Sequence, residues 1–392
     1  MVLAGRLDLA APRSPGEAAP RSVVYAFLDL GDGGAQRLTL AAANHLDPAR
    51  FAPRFLALRG RGRLVEVARA EGFEVDTLRR LERPWDLGAV DETAAALRAL
   101  RPSIVHVPLY SRASPYARLA ARRAGVPLVI AHEWSRPERP RWSRRLADRW
   151  LRPGTRFIAA SDAQRRDLAA GGVRPERIAV VRAGIEIPAF EGRSGGAIRG
   201  RLGIGREPLL LVPARLHAAK GHDDLLAALP AIRARHPGVR VVCAGSGPRE
   251  RELPDLARAA GLGDTVRFVG QRDDLPELYA AADLVVLPSR CEGLPSVLLE
   301  AWAARRAVVA TAVGGVPEAL TDGVEGRLVG ARDPAALAAA IDELLAQPVR
   351  RAAMAERGRR KVEREFRVES SARRLEEVYE AWLREVAPPA AR

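Results

Sequence analysis

Short apolar, β-branched runs alternate with helical stretches along nearly all of this 392-residue chain, and that alternation excludes most folds. In the first half the runs are Val23–Leu28, Arg54–Leu58, Ile104–Val107, Leu128–Ala131, Phe157–Ala160 and Ile178–Val181. In the second half they are Leu209–Pro213, Val239–Ala244, Val266–Val269, Leu284–Leu287, Ala307–Ala310 and Gly326–Val329. Strands that alternate with helices make parallel sheets covered on both faces. Two sets of six, separated by the Gly- and Arg-rich stretch Glu191–Gly205, predict an α/β protein of two facing doubly wound domains. The predicted domains span 22–188 and 189–368. Residues 369–388 read as a long amphipathic helix that packs back towards the first domain, and residues 1–21, rich in Ala, Pro, Gly and Arg, as a disordered tail. Such folds bind ligands beyond the carboxyl ends of their strands. Two facing domains would form a cleft there.

The loops at those strand ends carry the chemistry. Glu292 and Glu300 stand in SRCEGLPSVLLEAWA, directly after the apolar run LVVLP. The spacing places Glu292 in a turn and Glu300 about a turn and a half into a helix opened by Gly293, Leu294 and Pro295. A helix start carries unpaired N–H groups and the positive end of the peptide dipole, which suits a phosphate. Two carboxylates beside it can grip the hydroxyls of a sugar or ribose; a solvated Glu pair at an ordinary helix start would look the same. Arg215 and Lys220 follow another predicted strand in VPARLHAAKGHDD, where two cations can clamp a diphosphate and stabilise it as a leaving group. Gly245 and Gly247 form a third strand-to-helix turn, and Gly314, Gly315 and Glu318 a fourth. Convergence of these four loops on one sheet edge is the strongest argument for a nucleotide-type site. In the first half, Gly31, Gly33 and Gly34 follow the first strand; glycines there let a backbone approach a ligand closely, although an ordinary tight turn fits as well.

Charge and composition narrow the partners. The net charge is +15, and residues 1–190 carry most of it, with 32 Arg against 20 Asp or Glu. A basic first half suits an anionic partner, unless an Arg-biased composition inflates the figure. That bias is itself informative, because only Lys220 and Lys361 among 63 basic residues are lysine. A Lys inside a motif therefore stands out as a compact point charge chosen over a planar fork. The two cysteines, Cys243 and Cys291, cannot build a disulfide framework, and His45, His217, His222 and His236 show no metal-ligand spacing. No metal is expected. No stretch has the length of a membrane span or the apolar core of a signal peptide, which predicts a cytoplasmic protein.

Two further features stay open. His106 and His132 end predicted strands, where a histidine can bind a substrate hydroxyl or simply pack. In ERPRWSRRLADRWLRPGTR, Trp142, Leu146 and Trp150 share a helical face amid Arg141, Arg144, Arg145, Arg149 and Arg152. Such a helix can lie in an anionic membrane surface, giving peripheral contact at the inner face, or pack its Trp face on the core. The high isoelectric point is not joined by any nucleic-acid motif or aromatic-basic interleaving, so no nucleic-acid partner is expected.

The ordered second-half pattern resembles a family. PARLHAAKG and the long run RDDLPELYAAADLVVLPSRCEGLPSVLLEAWAARRAVVATAVGGVPEAL resemble the signatures of glycosyltransferase family 4, the group 1 nucleotide-sugar transferases of GT-B fold. GGAQR, SIVHV, VIAHE, FIAASDAQRRDLAAGGVRPERIAVV and the C-terminal helix resemble its other elements, so the match covers about residues 22–388. The resemblance implies two Rossmann-like domains. It implies transfer of a sugar, with retention and without a metal or other cofactor, from a nucleoside diphosphate sugar to a hydroxyl of a saccharide or lipid-linked acceptor. Arg215 and Lys220 would hold the diphosphate. Glu292 would bind donor-sugar hydroxyls, the N–H groups of Gly293, Leu294 and Ser296 the sugar and phosphate, and Glu300 the ribose. Gly33 and Gly34 would approach the diphosphate, His132 would contact the sugar near its anomeric centre, and Gly270, Gln271 and Arg272 would border the base. Two positions depart from the family pattern: Pro108 replaces a frequent second histidine, and Ala183-Gly184-Ile185-Glu186 replaces Asn-Gly-Ile-Asp.

Other functions remain to be weighed. A sugar-nucleotide epimerase or hydrolase of the same fold needs a carboxylate acid/base set in the first half, and no clear pair stands there. A non-catalytic nucleotide-sugar binder should have lost one of Arg215, Lys220, Glu292 or Glu300; all four are present.

Overall fold

The computed structural model describes residues 19–31, 33–81, 86, 88–108, 113–134 and 149–386. The chain divides into two compact units, Met1–Gly184 with Val368–Arg392, and Ile185–Arg367. The boundaries read from the sequence were 188/189 and 368/369. Residues 1–18 of the predicted tail lie outside the described residues, and Arg21 already belongs to a strand.

Among the described residues the first unit holds seven strands: β1 (Arg21–Phe27), β2 (Phe51–Ala57), β3 (Val75–Thr77), β4 (Ile104–Val107), β5 (Leu128–Glu133), β6 (Arg156–Ala159) and β7 (Ile178–Val180). All pair in parallel, in the order β3-β2-β1-β4-β5-β6-β7. Side chains alternate across a strand. Val23, Tyr25 and Phe27 of β1 therefore enter one core layer while Val24 and Ala26 enter the other. The first layer is closed by the C-terminal helix Val368–Val386, whose Ala372, Leu375, Tyr379, Trp382 and Leu383 recur at helical spacing and are all buried. Strand β3, only Val-Asp-Thr at the sheet edge, was not predicted; three residues with one carboxylate give too little periodicity to read.

The second unit holds six parallel strands: β8 (Leu209–Pro213), β9 (Arg240–Ala244), β10 (Val266–Phe268), β11 (Leu284–Leu287), β12 (Ala307–Thr311) and β13 (Gly326–Val329). Their order is β10-β9-β8-β11-β12-β13. Every predicted strand of this half is present within a residue or so. The chain winds outward from β8 to β10, then returns to pair β11 against β8 and winds the other way. The carboxyl ends of β8 and β11 thus form the switch point, where doubly wound sheets bind ligands.

Candidate functional site

Four loops meet at the carboxyl edge of the second sheet because the strands they follow, β9, β8, β11 and β12, are adjacent and parallel. Strand β8 leads into the Arg215–Lys220 loop and β11 into the Glu292 turn. Lys220 closes a short 3₁₀ turn, Ala218–Lys220, capped by the His217 ring accepting from the Ala219 N–H at 3.1 Å. Gly221 follows in the left-handed region (φ 66°), and a Cβ there would fall 1.8 Å from the Pro288 carbonyl oxygen. That contact presses the two switch-point loops together. The Arg290 N–H donates to the Ala219 carbonyl at 2.8 Å, and its guanidinium makes a two-pronged bond to Asp224, at 2.7 and 2.9 Å.

The clip brings the chemistry into register. Lys220 Nζ donates to Glu292 Oε1 at 2.6 Å, and Ser289 Oγ donates to the same oxygen at 2.6 Å. Glu292 is buried, 8% exposed. Among the described residues its Oε2 takes no hydrogen bond and can accept from a ligand hydroxyl. Arg215 differs from most arginines of this unit. It is exposed, and no hydrogen bond or ion pair among the described residues reaches its guanidinium. An unpaired fork at a strand end suits a phosphate.

The predicted helix starts at Ser296 with Pro295 as its N-cap and runs to Ala303, so Gly293, Leu294 and Pro295 form the turn before it rather than its first residues. No side chain caps that start. Gly293 and Leu294 are buried, and the Gly293 carbonyl accepts from the Gly315 N–H at 2.7 Å. The turn is held from behind by Gly314 (φ 55°), where a Cβ would fall 1.9 Å from the Glu292 carbonyl oxygen. Glu300 Oε2 accepts from the Tyr279 hydroxyl at 2.7 Å. Burial, then the Glu300 charge, push that hydroxyl well above its ordinary pKa, so it stays a donor.

The remaining second-unit residues have mostly packing causes. A Cβ at Gly245 or Gly247 would strike the carbonyls of Ala214 or Leu216, at 2.2 and 2.5 Å, so these glycines let the neighbouring loop support Arg215. Gly270 is tied to that loop by its carbonyl, which accepts from the Gly245 N–H at 2.8 Å. Gln271 follows it, and Arg272 is held by both oxygens of Asp274, at 2.8 and 2.6 Å. Sequence reading missed Ser289, Tyr279 and the Arg290–Asp224 clip. Their signal, a hydroxyl or charge paired across 3 to 66 residues, appears only after folding.

In the first unit, Gly33 caps the helix Gly34–Asn44, whose first turn has neither a side-chain cap nor an acidic residue. His106 is buried in β4 with both ring nitrogens engaged, so it is a packed residue rather than a ligand contact. His132, at the end of β5, is 5% exposed, and Trp134 stacks on it at 4.3 Å between ring centroids. Burial lowers the His106 pKa to about 3, and burial with the nearby His106 holds His132 well below its usual range. Of the basic Trp-bearing stretch, Trp142, Leu146, Arg141, Arg144 and Arg145 lie outside the described residues. Trp150 is 62% exposed with the Arg122 guanidinium 5.4 Å from its ring, so it does not pack on the core. Among the described residues no group of three His, Cys, Asp or Glu could hold a metal, and no helix is long and apolar enough to cross a membrane.

Two doubly wound units, one of them with Arg215, Lys220 and Glu292 on its switch-point loops, define a class of α/β proteins whose ligands bind at the carboxyl ends of the strands. Comparison makes the class specific. Residues 196–361 match the model of glycosyl transferases group 1, and residues 32–187 that of glycosyltransferase family 4. A GDP-mannose-dependent α-(1-6)-phosphatidylinositol monomannoside mannosyltransferase of Mycobacterium tuberculosis is 33% identical over 68% of this chain and 73% of its own. A D-inositol 3-phosphate glycosyltransferase of Frankia alni is 36% identical over 59% of this chain and 63% of its own. The chain thus spans about three fifths of the length of that relative. Among solved structures, Anabaena HepE in complex with UDP and glucose shares the fold, with a TM-score of 0.82 and 21% identity over 92% of this chain and 100% of that one. This chain belongs to the group 1, family 4 glycosyltransferases.

Proposed function

We propose that the protein transfers a sugar, with retention, from a nucleoside diphosphate sugar to a hydroxyl of an anionic saccharide or lipid-linked acceptor. The observation that carries this reading is the meeting of Arg215, Lys220, Glu292 and the uncapped start of Ser296–Ala303 at one switch point. Breaking an anomeric bond puts negative charge on the departing phosphate and positive charge on the sugar. The unpaired Arg215 fork and the N–H groups of Gly293, Leu294 and Ser296 face the first charge. Lys220 has three N–H donors, so it can keep Glu292 and still meet a phosphate oxygen. Glu292 Oε2 takes sugar hydroxyls and Glu300 the ribose. In the first unit, the family resemblance assigns His132 a contact with the donor sugar and Gly33 and Gly34 one with the diphosphate. Gly270, Gln271 and Arg272 border the base, with Gly245 and Gly247 supporting. No metal is needed for these roles.

Two facts support an anionic acceptor. The first half carries most of the charge, and the names of both relatives contain a phosphorylated inositol. Peripheral binding at the inner face of a membrane follows if that acceptor is a lipid.

A thermal-shift panel of UDP-, GDP-, ADP- and dTDP-sugars without added metal tests the donor site, repeated with Glu300→Ala. Stabilisation by one nucleotide class, lost in the variant, supports the assignment. No stabilisation by any of them overturns it.

A further inference from the structure

Four polar side chains form one line through the core of the first unit. The hydroxyls of Tyr25, on β1, and Tyr379, on the C-terminal helix, lie 3.1 Å apart. The Tyr379 hydroxyl lies 2.5 Å from Nδ1 of His106, on β4. His106 Nε2 lies 3.2 Å from Nδ1 of His132, on β5. All four residues are at least 95% buried. The far end of the line, His132 Nε2, is buried and has no partner among the described residues.

The line has a preferred direction. Each hydroxyl and each neutral imidazole supplies one proton, so three consecutive bonds require all the protons to point one way. If they ran from His132 towards Tyr25, the Tyr25 O–H would be left buried without an acceptor, since among the described residues Tyr379 is its one hydrogen-bond partner. His132 Nε2 would be a second orphan, a bare lone pair. Running from Tyr25 to His132 uses every internal donor: Tyr25 O–H to Tyr379, Tyr379 O–H to His106 Nδ1, and His106 Nε2–H to His132 Nδ1. One orphan remains, the His132 Nε2–H. Buried orphans are costly, so the second direction wins.

We infer that Tyr25, Tyr379 and His106 are positioning residues that lock His132 in its Nε2–H tautomer, so that it offers a substrate oxygen a hydrogen-bond donor and not a base. Both rings stay neutral near pH 7, because burial depresses their protonation. His106, His132, Trp134, Thr39 and Gly184 border a hollow of about 10 Å³, room for roughly one water, which a substrate oxygen would displace. That the oxygen belongs to a sugar or phosphate rests on the transferase reading; the tautomer does not.

The test is long-range ¹H–¹⁵N correlation of the full chain labelled at histidine, at pH 7, with His106→Gln and His132→Gln assigning the two rings. Both should be protonated at Nε2 and bare at Nδ1. An Nδ1–H form or an imidazolium at either ring overturns the inference. Tyr379→Phe removes the donor to His106 and should populate both tautomers, with kcat falling about tenfold. Tyr25→Phe leaves the Tyr379–His106 bond in place and should keep the wild-type tautomers. Unchanged tautomers in Tyr379→Phe overturn the relay. The tautomers are read without substrate, so failure to bind nucleotide sugars would sink the transferase reading and leave the relay standing.

Discussion

Lys220 and Glu292 lie 72 residues apart in the chain, and their charged atoms are 2.6 Å apart in the fold. The pairing joins the loops of β8 and β11, the two strands between which the sheet reverses its winding. It also orients Glu292, a buried carboxylate whose Oε1 accepts from the Lys220 ammonium and the Ser289 hydroxyl, with no hydrogen bond to Oε2 among the described residues.

Lys220→Ala should therefore weaken donor binding by about 1.5–3 kcal/mol, the worth of a hydrogen bond to a charged group. Lys220→Arg should not restore it, because a planar fork cannot keep the compact ammonium's bond to Glu292 and still meet a phosphate as proposed. Calorimetric titration of the donor checks both. Full affinity in Lys220→Ala would remove this residue from the site.

Arg215→Ala should separate binding from stability. The side chain is exposed and unpaired among the described residues, so unfolding in urea should shift by less than about 0.5 kcal/mol. Donor kcat/KM should fall at least tenfold if Arg215 makes the proposed charged contact to the leaving phosphate. Equal losses in stability and turnover would show Arg215 to be structural.

How much of this was legible in the sequence follows from the range of each interaction. The strands of the second half were readable because their apolar runs are continuous, as buried parallel strands require. Lys220 could be singled out because lysine is so rare in this chain. The reason Gly314 and Gly221 are glycines could not be read, since the carbonyls they approach belong to Glu292 and Pro288 on other loops. Tyr379 was the least visible. It looks like one more apolar position of an amphipathic helix, and only the fold sets its hydroxyl between Tyr25 and His106, 354 and 273 residues away.

If Glu300 holds the ribose as proposed, Glu300→Gln should lower affinity for ribonucleotide sugars more than for 2′-deoxyribonucleotide sugars. Tyr279→Phe, which removes the hydroxyl donor to Glu300 Oε2, should weaken both by about 1 kcal/mol. Thermal shifts with a matched pair of ribo- and deoxyribo-donors decide the matter. An equal loss for both donors in Glu300→Gln would move Glu300 away from the ribose.

Stability should fall in mild acid. Burial lowers the pKa of His222 to about 4 and of His106 to about 3. The unfolded chain takes up these protons near the ordinary value of about 6.5, whereas the folded chain does not until the lower values are reached. Stability is thus full above about 6.5 and lost as pH falls towards 4, by up to about 1.4 kcal/mol per pH unit for each histidine. Both ring nitrogens of His222 are buried without hydrogen-bond partners among the described residues, so His222→Leu should fold well at pH 7.5 and flatten that slope. Urea unfolding at pH 7.5 and 5 measures it; an unchanged slope in the variant would mean His222 protonates freely in the fold.

The second lysine repeats the logic of the first away from the switch point. Lys361 Nζ lies 3.1 Å from Glu325 Oε1, with side chains 13% and 10% exposed. Glu325 Oε2 accepts from the Thr321 N–H at 2.9 Å, and its carbonyl accepts from the buried Trp302 ring at 3.1 Å. Lys361→Met would strand the Glu325 carboxylate beside that tryptophan, at a cost of about 3 kcal/mol or more. Adding Glu325→Gln should recover much of the loss, since the uncompensated charge goes with it. A double-mutant cycle in urea gives the coupling directly. A loss under about 1 kcal/mol in Lys361→Met, the size expected of a surface pair, would show that solvent screens these charges despite their burial.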